Sequence, residues 1–269
     1  MATEQSVVHL IALKPNCRAE DLVKHLSKDD ILCGGIPHGW VHLPRSLDKN
    51  ALTARQWSLF LLTRTETLPE AARELCEEQV AIEISIPREQ YNLIVANRNS
   101  RPAPSPNTPR LPISWRAGRV PDSSVVPDVD RPLYPGELRL YKSMTTFLAT
   151  TLPESVRNAP VSLFNLFNYR NGDNSVHNHY MDGFKREFGD SAGATVQFMG
   201  QVKAGKLGDG IGGAQWDDAN LVQYDTIWHY AYMLSTDLYA ALNKEKIEGL
   251  EDTCILVVSE VELFDGMQR

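Results

Sequence analysis

The chain has 269 residues, 42% of them hydrophobic and 23% charged, ordinary globular usage that suffices for one large domain or two small ones. A net charge of −7 and a pI near 5.5 exclude a broad nucleic-acid surface or an anionic-membrane surface, since both need clustered Lys and Arg. No apolar run approaches the ~18 residues of a membrane helix, the start Met1-Ala-Thr-Glu-Gln-Ser carries no basic leader and predicts no signal peptide, and the scattered Cys17, Cys33, Cys76 and Cys254 predict reduced thiols in a cytoplasmic protein, with neither disulfide nor zinc site.

In chain order, Val7 to Leu13 is a short β-branched run that predicts a strand. Leu22, Val23 and Leu26 lie at helical spacing and predict a helix over 18–27. Residues 36–43 and 57–65 read as two strands. Pro69 opens an Ala-, Glu- and Leu-rich stretch that predicts a helix to Gln79. Ile82, Ile84 and Ile86 alternate with Glu83 and Ser85 as a half-buried strand. The order is β-α-β-β-α-β. Residues 96–137 are rich in Pro, Ser, Asn and Arg without periodicity, which predicts a linker between an N-terminal unit (1–95) and a C-terminal unit (138–269).

After a lead-in helix over 138–150 the pattern repeats. Residues 161–169 form a strand. A helix capped by Ser175 runs to Phe188. Two strands, 195–203 and 218–224, flank a Gly-rich hairpin tip. A helical stretch opens at Thr226 and runs to about Glu248, broken near Ser235-Thr236-Asp237. Residues 254–264 form the last strand. A four-stranded sheet with helices on one face needs a cover for the other. The expected fold is therefore α+β: two tandem ferredoxin-like repeats whose sheets close on each other as an intramolecular dimeric-α/β-barrel-like assembly around a small-molecule pocket. A homodimer is the alternative.

Residues 159–263 resemble small bacterial dimeric α/β-barrel proteins of a largely uncharacterised family. The resemblance is carried by the strand Pro160 to Arg170, the helix around Tyr180, Trp216 before the third strand, and the stretch Leu238 to Leu256. Where that family has an aromatic residue one helical turn before Tyr180, this chain has His177. The first strand, Val7 to Lys14, resembles that of the stress-responsive α/β-barrel group, which includes a plant polyketide cyclase. That resemblance implies a cavity with His9 in it, and small carbonyl or phenolic ligands. The wider superfamily also holds cofactor-free monooxygenases.

Several residues are candidates for chemistry. Asn165 stands mid-strand among apolar neighbours, where a buried amide must find a partner, either a ligand carbonyl or nearby backbone. His177, Tyr180, Met181, Phe184 and Phe188 share one helical stripe, which turns His177 inward as a candidate acid or base. His38, Trp40 and His42 alternate along one strand and would form a ligand wall on one face. A metal triad from His9, His38 and His42 is disfavoured, because strands one and two of such a sheet are not neighbours. Tyr169, Gln201, Trp216 and Tyr224 lie at strand ends, where pocket rims form.

Three motif matches fail on context. Gly189-Asp-Ser-Ala-Gly193 fits a nucleophile elbow, but a helix precedes Ser191 and a strand follows, the reverse of what the chemistry needs. Gly208 to Gly213 sits in a hairpin, with no helix N-terminus to face a phosphate. His177 and His179, two apart on a helix, point away from each other. The function expected is a cofactor-independent enzyme for proton transfer on a small carbonyl or phenolic compound: a cyclase, isomerase or decarboxylase. Catalytic roles fall to His9, His177, Asn165 and Tyr180. Cofactor-free oxygenation, ligand binding without catalysis, and a Ser191 hydrolase are the alternatives. No metal or cofactor is expected, and the expected partner is the small-molecule substrate.

Overall fold

The computed structural model describes residues 2–47, 49–53, 55–97, 110–112, 115, 130–189, 193–207 and 216–261. Most of the 96–137 stretch, Ser191, the Gly208–Gly213 tip and the tail past residue 261 lie outside the described residues.

Eight strands close a single antiparallel barrel in the order β1-β3-β2-β8-β5-β7-β6-β4. They are β1 (Thr3–Leu13), β2 (Ile31–His42), β3 (Leu59–Thr63), β4 (Cys76–Pro87), β5 (Val161–Tyr169), β6 (Ala194–Leu207), β7 (Asp218–Tyr224) and β8 (Leu250–Glu260). The first four occur in the order β4-β1-β3-β2 and the last four in the order β8-β5-β7-β6. The two quartets join at β2–β8 and β4–β6, so one chain closes the barrel by itself. Both seams carry a glycine where the strands crowd. A Cβ on Gly35 would stand 2.6 Å from the Ser259 carbonyl oxygen, and one on Gly200 would stand 2.9 Å from that of Ser85.

The helices lie outside the barrel. The first half has α1 (Ala19–Val23), α2 (Lys49–Thr53), α3 (Glu70–Arg73) and α4 (Arg88–Asn97). Then come α5 (Lys142–Thr146), continued by a π-turn over Phe147–Thr151, and α6 (Glu154–Arg157). The second half has α7 (Ser175–Glu187), α8 (Ile227–Leu234) and α9 (Asp237–Gly249). Among the described residues, no helix is long and apolar enough to cross a membrane.

Where a strand has the barrel interior on one side and helices on the other, it is buried on both faces; β3, Leu-Phe-Leu-Leu-Thr, is covered at every position. Alternate residues go to different cores. Val8, Leu10, Phe60, Leu62, Phe164, Leu166, Phe198, Leu221 and Leu256 fill the barrel. Phe60 and Phe164 meet there from opposite halves, with ring centroids 5.3 Å apart. Ile11, Leu59 and Leu61 pack outward on Leu22, Val23, Leu68 and Ala72. Leu163, Val222, Tyr224, Ile255 and Val257 pack outward under α7 and α8.

This packing corrects the expectation of a pocket between the two sheets. Apolar side chains from both halves interdigitate there instead, as in other protein interiors. His9 is corrected with it. Val8 and Leu10 take the inward positions, so the period of two sends His9 to the helix side of β1. There it is fully buried, 3.0 Å from the Thr63 hydroxyl through Nε2 and 2.8 Å from the Gln79 amide through Nδ1.

Local expectations fail where tertiary pairing outweighs propensity. The helix expected to Gln79 ends at Arg73. Cys76, Glu78 and Gln79 are drawn into β4 opposite Leu13, Ala12 and Ile11. β2 and β8 begin earlier than expected, at Ile31 and Leu250, because each pairs along the inter-half seam and with its own neighbour. The helix predicted from Ser175 takes Asn174 as N-cap residue, and the Asp173 carboxylate accepts from the Ser175 amide at 2.9 Å. β5 and β7 match their predicted bounds.

Candidate functional site

Among the described residues, an open space in the C-terminal half lies between its sheet and its helices. β5, β7 and β8 supply the floor through Leu163, Asn165, Asn220, Val222, Tyr224 and Ile255. Alternation puts these residues on the helix-facing side. α7 contributes Tyr180, Met181 and Phe184, the stripe predicted from the i, i+3, i+4, i+7 spacing. α8 adds Tyr230 and Met233, and α9 adds Tyr239 and Lys246. The free volume is about 30 Å³, enough for a water or two. Met181 and Met233 are the flexible part of its wall.

Lys246 is the unusual group. It is 3% exposed, and its Nζ sits over the rings of Phe167 and Tyr180, 5.3 and 5.5 Å from their centroids. Burial alone lowers its pKa to about 7. An ordinary lysine near 10.4 is deprotonated about once in 2,500 molecules at pH 7; this one is about half neutral. Sequence reasoning missed it because Asn-Lys-Glu-Lys reads as a solvated helical surface. The signal was its place on the stripe Tyr239, Asn243, Lys246, all buried on α9.

Four tyrosines surround the amine's chamber. Tyr180 and Tyr239 place their hydroxyls 3.3 Å apart, and the Tyr230 hydroxyl has no partner among the described residues. Burial raises the pKa of Tyr180 to about 12 and pushes those of Tyr224, Tyr230 and Tyr239 upward as well. All four therefore remain donors at neutral pH. Asn165 and Asn220 stand opposite each other on β5 and β7. Asn165 donates both Nδ2 hydrogens, to Leu163 O at 2.9 Å and to Asn220 Oδ1 at 2.7 Å. Asn165 thus offers a ligand only its carbonyl oxygen, and it orients the side chain of Asn220, which also lines the floor.

His177 lies beside the chamber, fully buried. Its ring packs 4.5 Å from Phe167, 5.2 Å from Tyr169 and 5.5 Å from Tyr180, and neither ring nitrogen has a partner among the described residues. Burial, then the nearby Lys246 charge, lowers its pKa to about 3. His9 is lowered to about 4, again first by burial. Both imidazoles are neutral at pH 7.

The other predicted residues are dispersed. Tyr169 donates to the Asp218 carboxylate at 2.5 Å; burial raises the pKa of both groups. Trp216 belongs to the barrel-filling core. Gln201 is exposed and pairs through its backbone with Ser85 and Asp218. Register shifts at Pro37/Gly39 and Trp40/His42 break the regular alternation expected of His38, Trp40 and His42, but Trp40 and His42 still line one space together, at the far end of β2. Trp40 packs on the barrel-filling core, while His38 bonds the Ser259 hydroxyl at 2.8 Å. His42 is buried opposite Ile255, and burial lowers its pKa to about 3.

No family model matches the chain, and no curated protein matches it. Among solved structures, a provisionally assigned monooxygenase from Lactobacillus acidophilus is similar at 8% identity and a TM-score of 0.45, over 96% of this chain and 94% of that one. A heme-binding protein from Thermus thermophilus is similar at 9% identity and 0.38, over 97% and 92%. A protein of unknown function from Rhodopseudomonas palustris is similar at 17% identity and 0.32, over 39% of this chain and 85% of that one.

Proposed function

We propose that this protein catalyses proton transfer at carbon next to a carbonyl group of a small, partly apolar compound, with Lys246 as the base. The observation that carries this reading is the buried amine with a pKa of about 7, set among protonated phenols. A general base works best when its pKa lies near the working pH. The neutral Nζ takes the α-proton, the C–H electron pair becomes the C=C bond of the enolate, and the carbonyl π pair moves onto the oxygen. The resulting enolate oxygen is held by tyrosine hydroxyls and the Asn220 amide, donors already held in place by the fold. The ammonium then returns its proton at the same carbon or another, or the enolate attacks a second carbonyl. Isomerisation and aldol cyclisation share this first step. So does cofactor-free oxygenation, in which the carbanion reduces dioxygen.

The strand orders β4-β1-β3-β2 and β8-β5-β7-β6 support a finer description of the scaffold, two ferredoxin-like repeats closed within one chain. In this reading the first half is the scaffold and the second half carries the chemistry. A substrate larger than a few atoms enters by displacing Met181 and Met233.

The test is α-hydrogen exchange of small ketones and aldehydes in D₂O, followed by proton NMR. The expected result is protein-catalysed exchange whose rate rises with pH through about 7 and vanishes in Lys246→Met. Exchange that persists in Lys246→Met, or none with any carbonyl compound offered, refutes the proposal.

A further inference from the structure

A second, larger space lies at the far end of β2 and shares no lining residue with the Lys246 chamber. Its volume is about 460 Å³, within the range of sites for drug-sized ligands. Trp40, Tyr141, Met144 and Phe147 form apolar walls, and Arg45, Lys49 and Arg131 stand around it. All three cations are exposed. The walls also hold two buried polar atoms without partners, Trp40 Nε1 and His42 Nδ1.

Two acceptors build this cleft. The buried Asp252 carboxylate accepts from the amides of Arg45, Ser46 and Leu47, each at 2.9 Å, from the Ser46 hydroxyl at 3.1 Å and from the Thr253 amide at 2.8 Å. It pins the turn that carries Arg45 onto β8. On the other wall, Glu137 accepts from the amides of Leu133 and Tyr134 at 2.7 and 3.1 Å and pairs with Arg139 at 3.0 Å. Arg45 Nη2 reaches the Pro132 carbonyl at 3.1 Å and spans the two walls.

We infer that this cleft is a binding site for a small organic anion, a carboxylate on a planar apolar body. The aromatic walls fit the body, and the three cations fit the carboxylate; guanidinium groups bind it in a fork. In a chain of net charge −7, three cations around one aromatic cleft attract an anion against the overall field. The inference is independent of the Lys246 reading.

The test is titration of the full chain at low ionic strength with 2-naphthoate and with neutral 2-naphthalenemethanol, read by calorimetry and tryptophan fluorescence. The expected result is saturable naphthoate binding, with the alcohol at least about tenfold weaker. Arg131→Gln and Lys49→Gln, at exposed positions outside the hydrogen bonds that build the cleft, each weaken naphthoate severalfold with unchanged circular dichroism and leave the alcohol unaffected. Equal binding of acid and alcohol, naphthoate affinity unchanged in both variants, or no naphthoate binding up to millimolar concentration overturns the inference.

Discussion

Replacing Lys246 with Met should make the protein more stable, and the gain should disappear as the pH rises. The unfolded chain holds this amine at its ordinary pKa of 10.5, while the fold holds it at about 7. Between these values the unfolded state binds a proton that the native state refuses, so native stability rises with pH. The sign follows from the lowered folded pKa: the penalty is full below pH 7 and is relieved between about 7 and 10.5. Each unit of separation is worth about 1.4 kcal/mol. At pH 7, where half the native amine is already neutral, the penalty is about 4 kcal/mol; by pH 10 it is below about 1 kcal/mol. Met has similar length, no charge and a flexible thioether that fits among Phe167, Tyr180 and Tyr239. The assay is urea unfolding of both proteins at pH 7, 8, 9 and 10. Subtracting the two stability curves cancels the groups they share. The Met variant should lead by about 4 kcal/mol at pH 7 and keep less than about 1 kcal/mol of that lead at pH 10. A difference that stays flat from pH 7 to 10 refutes the buried, depressed amine, and with it the proposed base.

Three further outcomes follow from the same structure. His177→Phe should stabilise the fold by about 2 kcal/mol, since it removes two unpartnered buried nitrogens from an aromatic nest. It should also lower the acid-unfolding midpoint: as pH falls from 6.5 toward 3 the unfolded imidazole binds a proton that the native one refuses. An unchanged acid midpoint contradicts this. Tyr230→Phe deletes a buried hydroxyl without a protein partner, so it should leave stability equal or raise it by about 1 kcal/mol while slowing α-proton exchange; equal exchange rates remove Tyr230 from the donor set. Phe164→Ala should cost about 3–5 kcal/mol in urea unfolding, because the ring fills the barrel interior against Phe60; a loss below about 1 kcal/mol would mean that the interior collapses around the gap.

The chamber was partly legible before the structure. Tyr180, Met181 and Phe184 of the α7 stripe, the mid-strand Asn165 and Tyr224 all line it. Asn220, Tyr230, Tyr239 and Lys246 were not singled out. The buried faces of α8 and α9 could be read from spacing, but a lysine among acidic neighbours looks like surface until its helix is docked. His9 and His177 stood out because imidazole titrates near neutral pH in water; burial takes that property away in the fold.

What the amino-acid order determined alone is local. Alternation marked Ile82 to Ile86 of β4, the helical stripe marked the inner face of α7, and the two β-α-β-β-α-β runs were visible as patterns. Tertiary structure decided what stands opposite each face. The ladder with β1 turned Cys76–Gln79 from a good helix into strand. Close approach at Gly35 and Gly200 joined the halves. Packing of the two sheets filled the barrel and left the free space under the helices. Periodicity states which residues share a face. Whether that face meets protein, solvent or a cavity depends on elements distant in the chain, and so do the burial and the pKa that make Lys246 a candidate base.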